Sequence, residues 1–545
     1  MLLQSENPDK MGYFVDTKNT SSAKAFTKEE DFVHQRLLRA MSDQDKLLLL
    51  NGASMSVPDA QSELSKRKKH DPDAKVQCTR CRDALFRSKF VPDQYKVDSV
   101  TEVMENIPPH ANLVYVVSAM DFPMSINEDV FKYRGASTMM FVVTKLDLFF
   151  ANKAMAAKYG LQFFHDYFWR TYKVPPENVF CVSGTVDWHT ERLYQAVQDN
   201  LFFIGCVNSG KSTLILALLH IAQQNRQKLP NARRDRMAQR LDDMAISNNK
   251  PTTRQALAKH NLAAINTFKK LHGPGTSYMP GFTRGNLPFE LSRNVTIYDV
   301  PGFASSKASQ LYEFMHANAI KSIQKGQKMH KKGTYKSHYE TARGGQVVTV
   351  GGLFFLQVPQ NVMLQVRNVV NHKMHIFKNM EKALQLWNDP HSNPALRDVF
   401  AVDSSKTQLV KYIIPSFYGS VDLVIRSVGY ITMTPTGKFN AHQPFTVYLP
   451  EGLEAIIRQP ITRYITRTLA GRDAQGNVLK KENWREKSVT EVKRYTGKSP
   501  FVSRLIPGEG PGNDAEIMQK YVQQVKGHAV SHATVSDENQ YTNWV

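Results

Sequence analysis

The chain has 545 residues, enough for about three domains, and its hydrophobic content of 41% excludes a wholly disordered protein. The formal net charge of +21 at pH 7 indicates a polyanionic partner, either nucleic acid or an anionic membrane surface, although charge also serves solubility. Four cysteines exclude a disulfide scaffold, and no apolar run reaches the roughly 18 residues that a spanning helix needs.

Residues 1–95 form a polar N-terminal segment without a visible leader sequence. Acidic residues precede the first arginine, Arg36, which argues against a secretory signal and a mitochondrial presequence after Met1. The basic run 65–70 fits either a solvated helix face or an RNA contact. This segment therefore indicates charge-based recognition rather than a packed core.

Cys78 and Cys81 form a C-x-x-C motif, which supplies half of the ligands of a tetrahedral zinc site. The chain contains no second C-x-x-C motif. We therefore expect a metal-free or partly occupied site.

From Asn112 onward, short apolar runs alternate with helical stretches such as Val186–Gln198. This alternation predicts an α/β domain over residues 96–330, with a mostly parallel sheet covered by helices on both faces. Ligands of such sheets bind beyond the carboxyl ends of the strands. The predicted strands are Asn112–Met120, Thr138–Thr144, Val179–Ser183, Phe202–Ile204 and Asn294–Asp299.

Two of these strands end in candidate base contacts. Thr144-Lys145-Leu146-Asp147 has the form [NT]-K-x-D, in which a carboxylate at Asp147 can accept from the ring N–H and amine of guanine. Lys145 would cover the base with its aliphatic stem. Ser183-Gly184 resembles a second base-contact loop, whose small residue lets a backbone N–H approach the guanine carbonyl. The alternative is a surface Lys/Asp pair at a strand end.

The next strand leads into Gly205-Cys206-Val207-Asn208-Ser209-Gly210-Lys211-Ser212, which fits the phosphate-loop pattern G-x-x-x-x-G-K-[ST]. Lys211 would reach the outer phosphates and Ser212 would bind Mg²⁺, while the following helix directs its positive end at the phosphates. A chance Gly-rich turn is the alternative. The predicted nucleotide contacts here are Gly205, Asn208, Ser209, Gly210, Lys211, Ser212 and Thr213.

A polar insertion of about fifty residues, 223–272, follows the phosphate loop, and loops of this length are usually functional or disordered. Beyond it, Thr283 is placed to close onto Mg²⁺ and the γ-phosphate. Asp299 and Gly302 then fit D-x-x-G, with Asp299 holding Mg²⁺ through water and the Gly302 N–H contacting the γ-phosphate. For Thr283 an ordinary turn residue is the alternative.

The parts of this site occur in rotated order, with the base motifs before the phosphate loop. This order resembles the circularly permuted GTPases of the YqeH type. The chain is still more similar to a fungal mitochondrial family, the genetic interactor of prohibitins 3 proteins. The segments that carry the likeness are 121–123, 280–284, 344–352, 415–420 and 429–431, in addition to the motifs above.

The resemblance implies a mitochondrial location, and it implies a first C-x-x-C pair upstream, so that Met1 would be an internal start. It also assigns Asn208 to a K⁺ ion beside the phosphates, with capping of the loop as the alternative. Thr144 departs from the family's asparagine, and Phe303 stands where relatives of Ras orient water with glutamine. GTP hydrolysis would accordingly be slow, with Lys211, Thr283 and Asn208 stabilising the transferred phosphoryl group.

The C-terminal half predicts a β-rich domain over residues 331–465 and a basic, loosely ordered tail over residues 466–545. We expect a GTP-binding switch that docks on ribosomal RNA, or on a precursor of the small subunit, in mitochondria. The alternative is an interaction protein at the inner membrane, linked to prohibitins and lipid balance, with a vestigial nucleotide site. An ATPase is the third possibility and requires Asp147 to take no part in base reading.

Overall fold

The computed structural model describes four parts of the chain. They are 97–228 without 151 and 198; 268, 274–278 and 281–304; 311–461 without 328–329, 332–333, 336–338, 391–398, 416, 418 and 437–443; and 500–517 without 509–512 and 515. Residues 1–95, the basic run 65–70, Cys78 and Cys81, and most of the insertion and tail lie outside these parts.

A six-stranded mixed sheet forms the first layer of the fold. Its strands are β1 (Asn112–Ser118), β2 (Met140–Thr144), β3 (Val179–Cys181), β4 (Leu201–Ile204), β5 (Leu287–Ser292) and β6 (Val295–Asp299). They lie in the order β3-β2-β1-β4-β6-β5, and every pair is parallel except β5 with β6. Strands β1 to β4 are buried along almost their whole length, as expected of a parallel sheet covered on both faces.

Eight α-helices occur in the described parts of the chain. They are α1 (Val100–Glu105), α2 (Lys153–Tyr159), α3 (Gln162–Tyr172), α4 (Thr190–Ala196), α5 (Lys211–Lys228), α6 (Leu311–Phe314), α7 (Ala317–Lys325) and α8 (Met380–Asn388). The Ser99 side chain begins α1 by accepting from the Glu102 backbone N–H, while Glu102 accepts from the Ser99 N–H, a reciprocal capping box.

Two six-stranded antiparallel sheets form the C-terminal region. One has the order β13-β10-β11-β17-β14-β20 and the other β19-β18-β15-β16-β12-β9, beside a small β7–β8 hairpin. The strands are β7 (His330–Lys331), β8 (Thr334–Tyr335), β9 (Glu340–Arg343), β10 (Val347–Val350), β11 (Phe355–Gln357), β12 (Met363–Asn368), β13 (Met374–Phe377), β14 (Leu409–Ile414), β15 (Val421–Ile425), β16 (Gly429–Thr436), β17 (Phe445–Pro450), β18 (Ala455–Arg458), β19 (Val502–Arg504) and β20 (Ile506–Pro507).

The mixed α/β architecture and the separate β-rich C-terminal region agree with the fold class predicted from the sequence. Strands β19 and β20 differ from the loosely ordered tail expected beyond residue 466. Strand β19 pairs with β18, and β20 pairs with β14. Backbone hydrogen bonds therefore order a segment whose composition resembles that of a loop. Strand β12 alternates between exposed and buried residues over Met363–Val366, as expected of a strand covered on one face.

One hydrophobic cluster contains residues of both the mixed sheet and the C-terminal sheets. Val424, Tyr430 and Ile456 of the C-terminal region belong to the same buried cluster as Phe122 and Phe141 beside the mixed sheet. The Phe149 ring stacks on the Tyr430 ring with centroids 5.7 Å apart. This continuous core fixes the C-terminal region against the edge of the mixed sheet that carries the candidate site.

Candidate functional site

The carboxyl ends of β2, β4 and β6 meet at one edge of the mixed sheet. Thr144 ends β2, Gly205 follows β4 and Asp299 ends β6. From β1 the chain proceeds outward to β2, whereas from β4 it proceeds to the opposite side. The crevice between β1 and β4 is therefore the topological switch point, where ligands of open α/β sheets bind.

Three residues of the phosphate loop adopt positive φ angles. These are Gly205 (147°), Asn208 (60°) and Gly210 (97°). A Cβ atom at Gly205 would lie 2.3 Å from the carbonyl oxygen of Val116, so only glycine fits between the two strands. The loop ends where α5 begins at Lys211, which leaves the first N–H groups of an 18-residue helix at the edge of the sheet.

Lys211 is buried within the loop that precedes it. Its Nζ donates to the carbonyl oxygens of Gly205 at 2.8 Å and Cys206 at 3.0 Å. Burial lowers the pKa of Lys211 to about 8, against the opposing attraction of Asp299. A Cβ atom at Gly302 would lie 3.0 Å from this Nζ, so the D-x-x-G glycine packs directly on the lysine. An anion entering here would restore the charge that burial disfavours.

Three oxygen-bearing side chains converge beside Lys211. The Ser212 hydroxyl donates to Asp299 Oδ2 at 2.7 Å and the Thr283 hydroxyl donates to the same oxygen at 3.4 Å. Burial raises the pKa of Asp299, although both hydroxyls oppose the change. Asp299 Oδ1 is buried without a hydrogen-bond partner. Hydroxyl and carboxylate oxygens are the ligands that Mg²⁺ prefers, so this set fits the ion that the motifs imply.

Lys211, Ser212 and Thr283 line a cavity of about 210 Å³ at the sheet edge, and Asp299 is hydrogen-bonded to two of them. Lys145 lines the same cavity as Lys211, so one residue of the base motif lies beside the phosphate loop. The remaining lining includes residues that follow the insertion, two of them in the segment 280–284, and one residue of α7. They are Gly275, Thr276, Ser277, Tyr278, Gly281, Phe282 and Gln324.

Among the predicted base contacts, Thr144 is hydrogen-bonded to the phosphate loop, whereas Asp147 and Ser183 are hydrogen-bonded to each other. The Thr144 hydroxyl donates to the backbone carbonyl of Ser209, which joins the end of β2 to the phosphate loop. The Ser183 hydroxyl donates to Asp147 Oδ1 at 2.6 Å, and both side chains are buried. Neither Asp147 nor Ser183 lines the 210 Å³ cavity. Lys145, with φ of 63°, connects the two groups, and burial lowers its pKa.

The other predicted contacts occupy supporting positions. Gly184 packs against the start of α5, since a Cβ atom there would lie 3.1 Å from the Leu214 Cα. Thr213 lines the cavity, whereas the Ser209 side chain is buried beneath the loop. Asn208 donates from Nδ2 to the Tyr278 carbonyl at 3.1 Å, which joins the phosphate loop to the segment before Thr283.

Phe303, which follows the D-x-x-G motif, points away from the cavity. It is fully buried, and its ring meets the Tyr115 ring edge to face with centroids 6.1 Å apart. Its backbone pairs with the phosphate loop, because the Val207 N–H donates to the Phe303 carbonyl at 3.1 Å. The Phe303 backbone therefore joins the D-x-x-G loop to the phosphate loop, and its buried ring cannot orient water.

We expect Asp299→Asn to stabilise the protein without nucleotide by up to about 2 kcal/mol, the range that single stabilising substitutions reach. Because the raised pKa of Asp299 opposes folding once the carboxyl ionises, wild-type stability falls as pH rises through the folded pKa. The variant lacks this fall. Urea unfolding at several pH values measures both effects, and a less stable Asp299→Asn protein at neutral pH would contradict the account.

Comparison with known proteins gives the family of this chain. Sequence models described as the N-terminal and C-terminal domains of genetic interactor of prohibitins 3 match residues 1–95 and 337–544. A Clavispora lusitaniae protein named "Genetic interactor of prohibitins 3, mitochondrial" is 57% identical over all of this chain and 89% of its own length. The chain belongs to the genetic interactor of prohibitins 3 family. Family members of the same name from Debaryomyces hansenii and Meyerozyma guilliermondii are each 41% identical, covering 100% and 92% of this chain and 92% and 86% of their own lengths.

These matches confirm the likeness to the genetic interactor of prohibitins 3 family and the mitochondrial localisation, whereas the likeness to YqeH-type GTPases stays a prediction. The family name also denotes a genetic link to prohibitins. Within the described ranges, no helix combines the length and the apolar character needed to cross a membrane. The C-x-x-C pair, Cys78 and Cys81, lies outside those ranges, so zinc binding stays a prediction.

Proposed function

We propose that this mitochondrial family member is a guanine-nucleotide-binding switch whose site lies at the carboxyl edge of the mixed sheet. The observation that carries the proposal is the convergence of Lys211, Ser212, Thr283 and Lys145 around one cavity, with Asp299 bonded to two of them. Four separate motifs of the sequence supply these residues. Independent motifs meeting at the switch point of a sheet favour a shared ligand over chance.

The strand order supports a circularly permuted P-loop GTPase of the YqeH type. Counted from the phosphate-loop strand β4, with β1 to β3 appended after β6, the sheet order becomes 2-3-1-4-5-6. The phosphate-loop strand is then central, and the D-x-x-G strand is its direct neighbour. Such a sheet allows the base-reading loops to precede the phosphate loop in the chain while facing the same edge.

In this proposal, each residue of the site has a separable task. Lys211 and the N–H groups at the start of α5 bind the phosphates of GTP or GDP. Ser212, Thr283 and Asp299 hold Mg²⁺, which neutralises phosphate charge when it is bound. Asp147 accepts from the guanine edge, Ser183 orients that carboxylate, and Lys145 covers the base. Asn208 remains the candidate K⁺ ligand through its amide oxygen, since its amide nitrogen donates to Tyr278.

Hydrolysis at this site should be slow. No carboxylate or imidazole occurs among the described residues that line the cavity, so a side-chain general base is missing from its wall. Phe303 lies in the core and offers no hydrogen bond to water. The site therefore favours nucleotide binding over hydrolysis, and efficient hydrolysis would require a catalytic residue from a partner.

The lowered pKa of Lys211 predicts that GTP affinity falls about tenfold from about pH 7 to about pH 9, as the free protein loses the binding cation. Below pH 8 the lysine is charged and binds phosphate; above it, binding requires uptake of a proton. Lys211→Arg stays charged throughout and should show only the pH dependence of the nucleotide itself. Calorimetric titration of both proteins across this range measures the difference, and equal pH profiles would contradict it.

A second candidate function is an interaction protein at the inner membrane, linked to prohibitins and lipid balance, with a vestigial nucleotide site. The name of the family favours it, since that name denotes a genetic link to prohibitins. Lys211→Ala separates the two functions in cells that depend on this gene and lack prohibitins. A nucleotide switch predicts that the variant fails to complement; full complementation would favour the vestigial site.

Ribosomal RNA, or a precursor of the small subunit, remains the proposed docking partner. The support is the net charge of +21, since polyanion binding scales with clustered basic side chains. Binding to mitochondrial ribosomal RNA should weaken steeply with salt and should differ between the GTP-bound and GDP-bound protein. RNA binding that ignores the nucleotide would overturn this part of the proposal.

A further inference from the structure

Helix α7 places a side chain in the nucleotide cavity that no motif indicates. Gln324 lies one residue before the end of α7 and lines the same cavity as Lys145 and Lys211. The helix end is held on the base-reading loop, because Gly326 adopts φ of 71° and packs on Leu148. A Cβ atom at Gly326 would lie 2.7 Å from Leu148 Cδ1. Gln324 is thereby fixed on the base side of the cavity.

The same side chain also holds a turn of the C-terminal region. Gln324 Nε2 donates to the backbone carbonyl of Ser427, in the turn between β15 and β16. The Ser427 N–H donates to Asp121 Oδ2 at 2.9 Å, from the loop after β1. Ser427 adopts φ of 59°, which is unfavourable for a residue with a side chain. The turn is therefore held in a strained form by two contacts from the nucleotide-binding half.

Gln324 lines two neighbouring cavities. One is the 210 Å³ cavity, and the other is a small cavity of about 10 Å³. The small cavity is lined by Asp121, Asn208 and Ser427 as well as by Lys145. Lys145, Val207 and Asn208 line both cavities as well. Gln324, however, also donates to the Ser427 carbonyl, so a change on the nucleotide side reaches the Ser427 turn through this bond.

We propose that Gln324 is a nucleotide-binding residue that contacts the base or ribose and couples occupancy of the site to the turn at residues 426–429. This inference rests on the proposed function. The Gln324 amide nitrogen is used by Ser427, so its carbonyl oxygen is the group that accepts from a ribose hydroxyl or purine amine. Binding then fixes the side chain and, with it, the Ser427 carbonyl.

The test compares wild-type protein with Gln324→Met, which keeps the length of the side chain but cannot make either hydrogen bond. Gln324→Ala is measured beside it, and Lys321→Ala is the control because Lys321 is exposed on the same helix. We expect both Gln324 variants to bind GTP about tenfold more weakly, the factor for one hydrogen bond lost, and Lys321→Ala to bind as wild type. Thermal unfolding of each variant confirms that the fold is retained.

Hydrogen exchange at saturating GTP supplies the second measurement. In the wild type, GTP should increase protection of residues 421–430, and this increase should be absent from Gln324→Met and Gln324→Ala. Unchanged affinity, or an increase in protection equal to that of the wild type, overturns the inference while leaving the proposed function in place. A wild-type protein that binds no guanine nucleotide overturns both.

Discussion

Arg458→Ala should destabilise the protein by about 3–5 kcal/mol, because it leaves a buried carboxylate without its cation. Arg458 has no exposed surface, and its Nε lies 3.2 Å from Asp422 Oδ2. Its Nη1 also donates to the Phe122 carbonyl at 2.6 Å, so one guanidinium joins β18 to the loop after β1. The Thr432 hydroxyl also donates to Asp422 Oδ1, at 2.7 Å. Urea unfolding followed by tryptophan fluorescence measures the loss.

Lys411→Ala provides the matched control. Lys411 pairs with Asp514 at 2.6 Å, but both side chains are partly exposed, so its loss should cost only about 0–1 kcal/mol. Burial raises the pKa of Asp422 and Arg458 opposes this, so the carboxyl of the Arg458→Ala protein protonates more easily. The penalty should therefore shrink at acidic pH. Equal costs for the two variants would show that the buried pair has no special role.

Asp147→Asn should weaken GTP binding at least about 100-fold and create affinity for xanthosine triphosphate. In the proposed site the Asp147 carboxylate would accept two hydrogen bonds from guanine, whereas an asparagine amide offers one acceptor and one donor. The donor matches the additional carbonyl of xanthine. The Ser183 hydroxyl, which donates to Asp147 Oδ1 at 2.6 Å, still finds an acceptor in the amide oxygen. The fold should therefore survive the change.

Titration with both nucleotides, before and after the substitution, measures this switch. Asp166→Asn is a suitable control because Asp166 is a buried carboxylate on α3, where it accepts from Gln162 at 2.8 Å. That variant should keep the nucleotide preference of the wild type. If Asp147→Asn binds GTP as tightly as the wild type, Asp147 does not read the base.

Much of the sheet could be predicted because buried parallel strands form continuous apolar runs. Strand β4 extends the predicted Phe202–Ile204 by one residue, and β6 begins one residue after the predicted start. The motif residues at the strand ends follow from the same pattern, since parallel strands deliver their carboxyl ends to one edge. The sequence therefore predicted where these strands lie, and the rule that parallel strands end at one edge predicted which residues meet there.

The contacts between the two halves could not be predicted in this way. Gln324 and Ser427 are about a hundred residues apart, and each is an ordinary polar residue in its local context. Arg458 lies in a short apolar stretch where a charge gives no sign of its partner, Asp422. The Asp121-Phe122-Pro123 segment was indicated only by its likeness to the family. Such pairings depend on tertiary packing, which no local pattern encodes.

Isothermal titration of the wild-type protein with GTP and with ATP, in Mg²⁺ and K⁺ near pH 7, tests the central claim most directly. The account predicts saturable binding of one GTP per chain, with ATP at least about 100-fold weaker, because Asp147 pairs with donors that adenine lacks. Absence of binding, or equal affinity for GTP and ATP, would contradict a guanine-nucleotide site at this edge of the sheet.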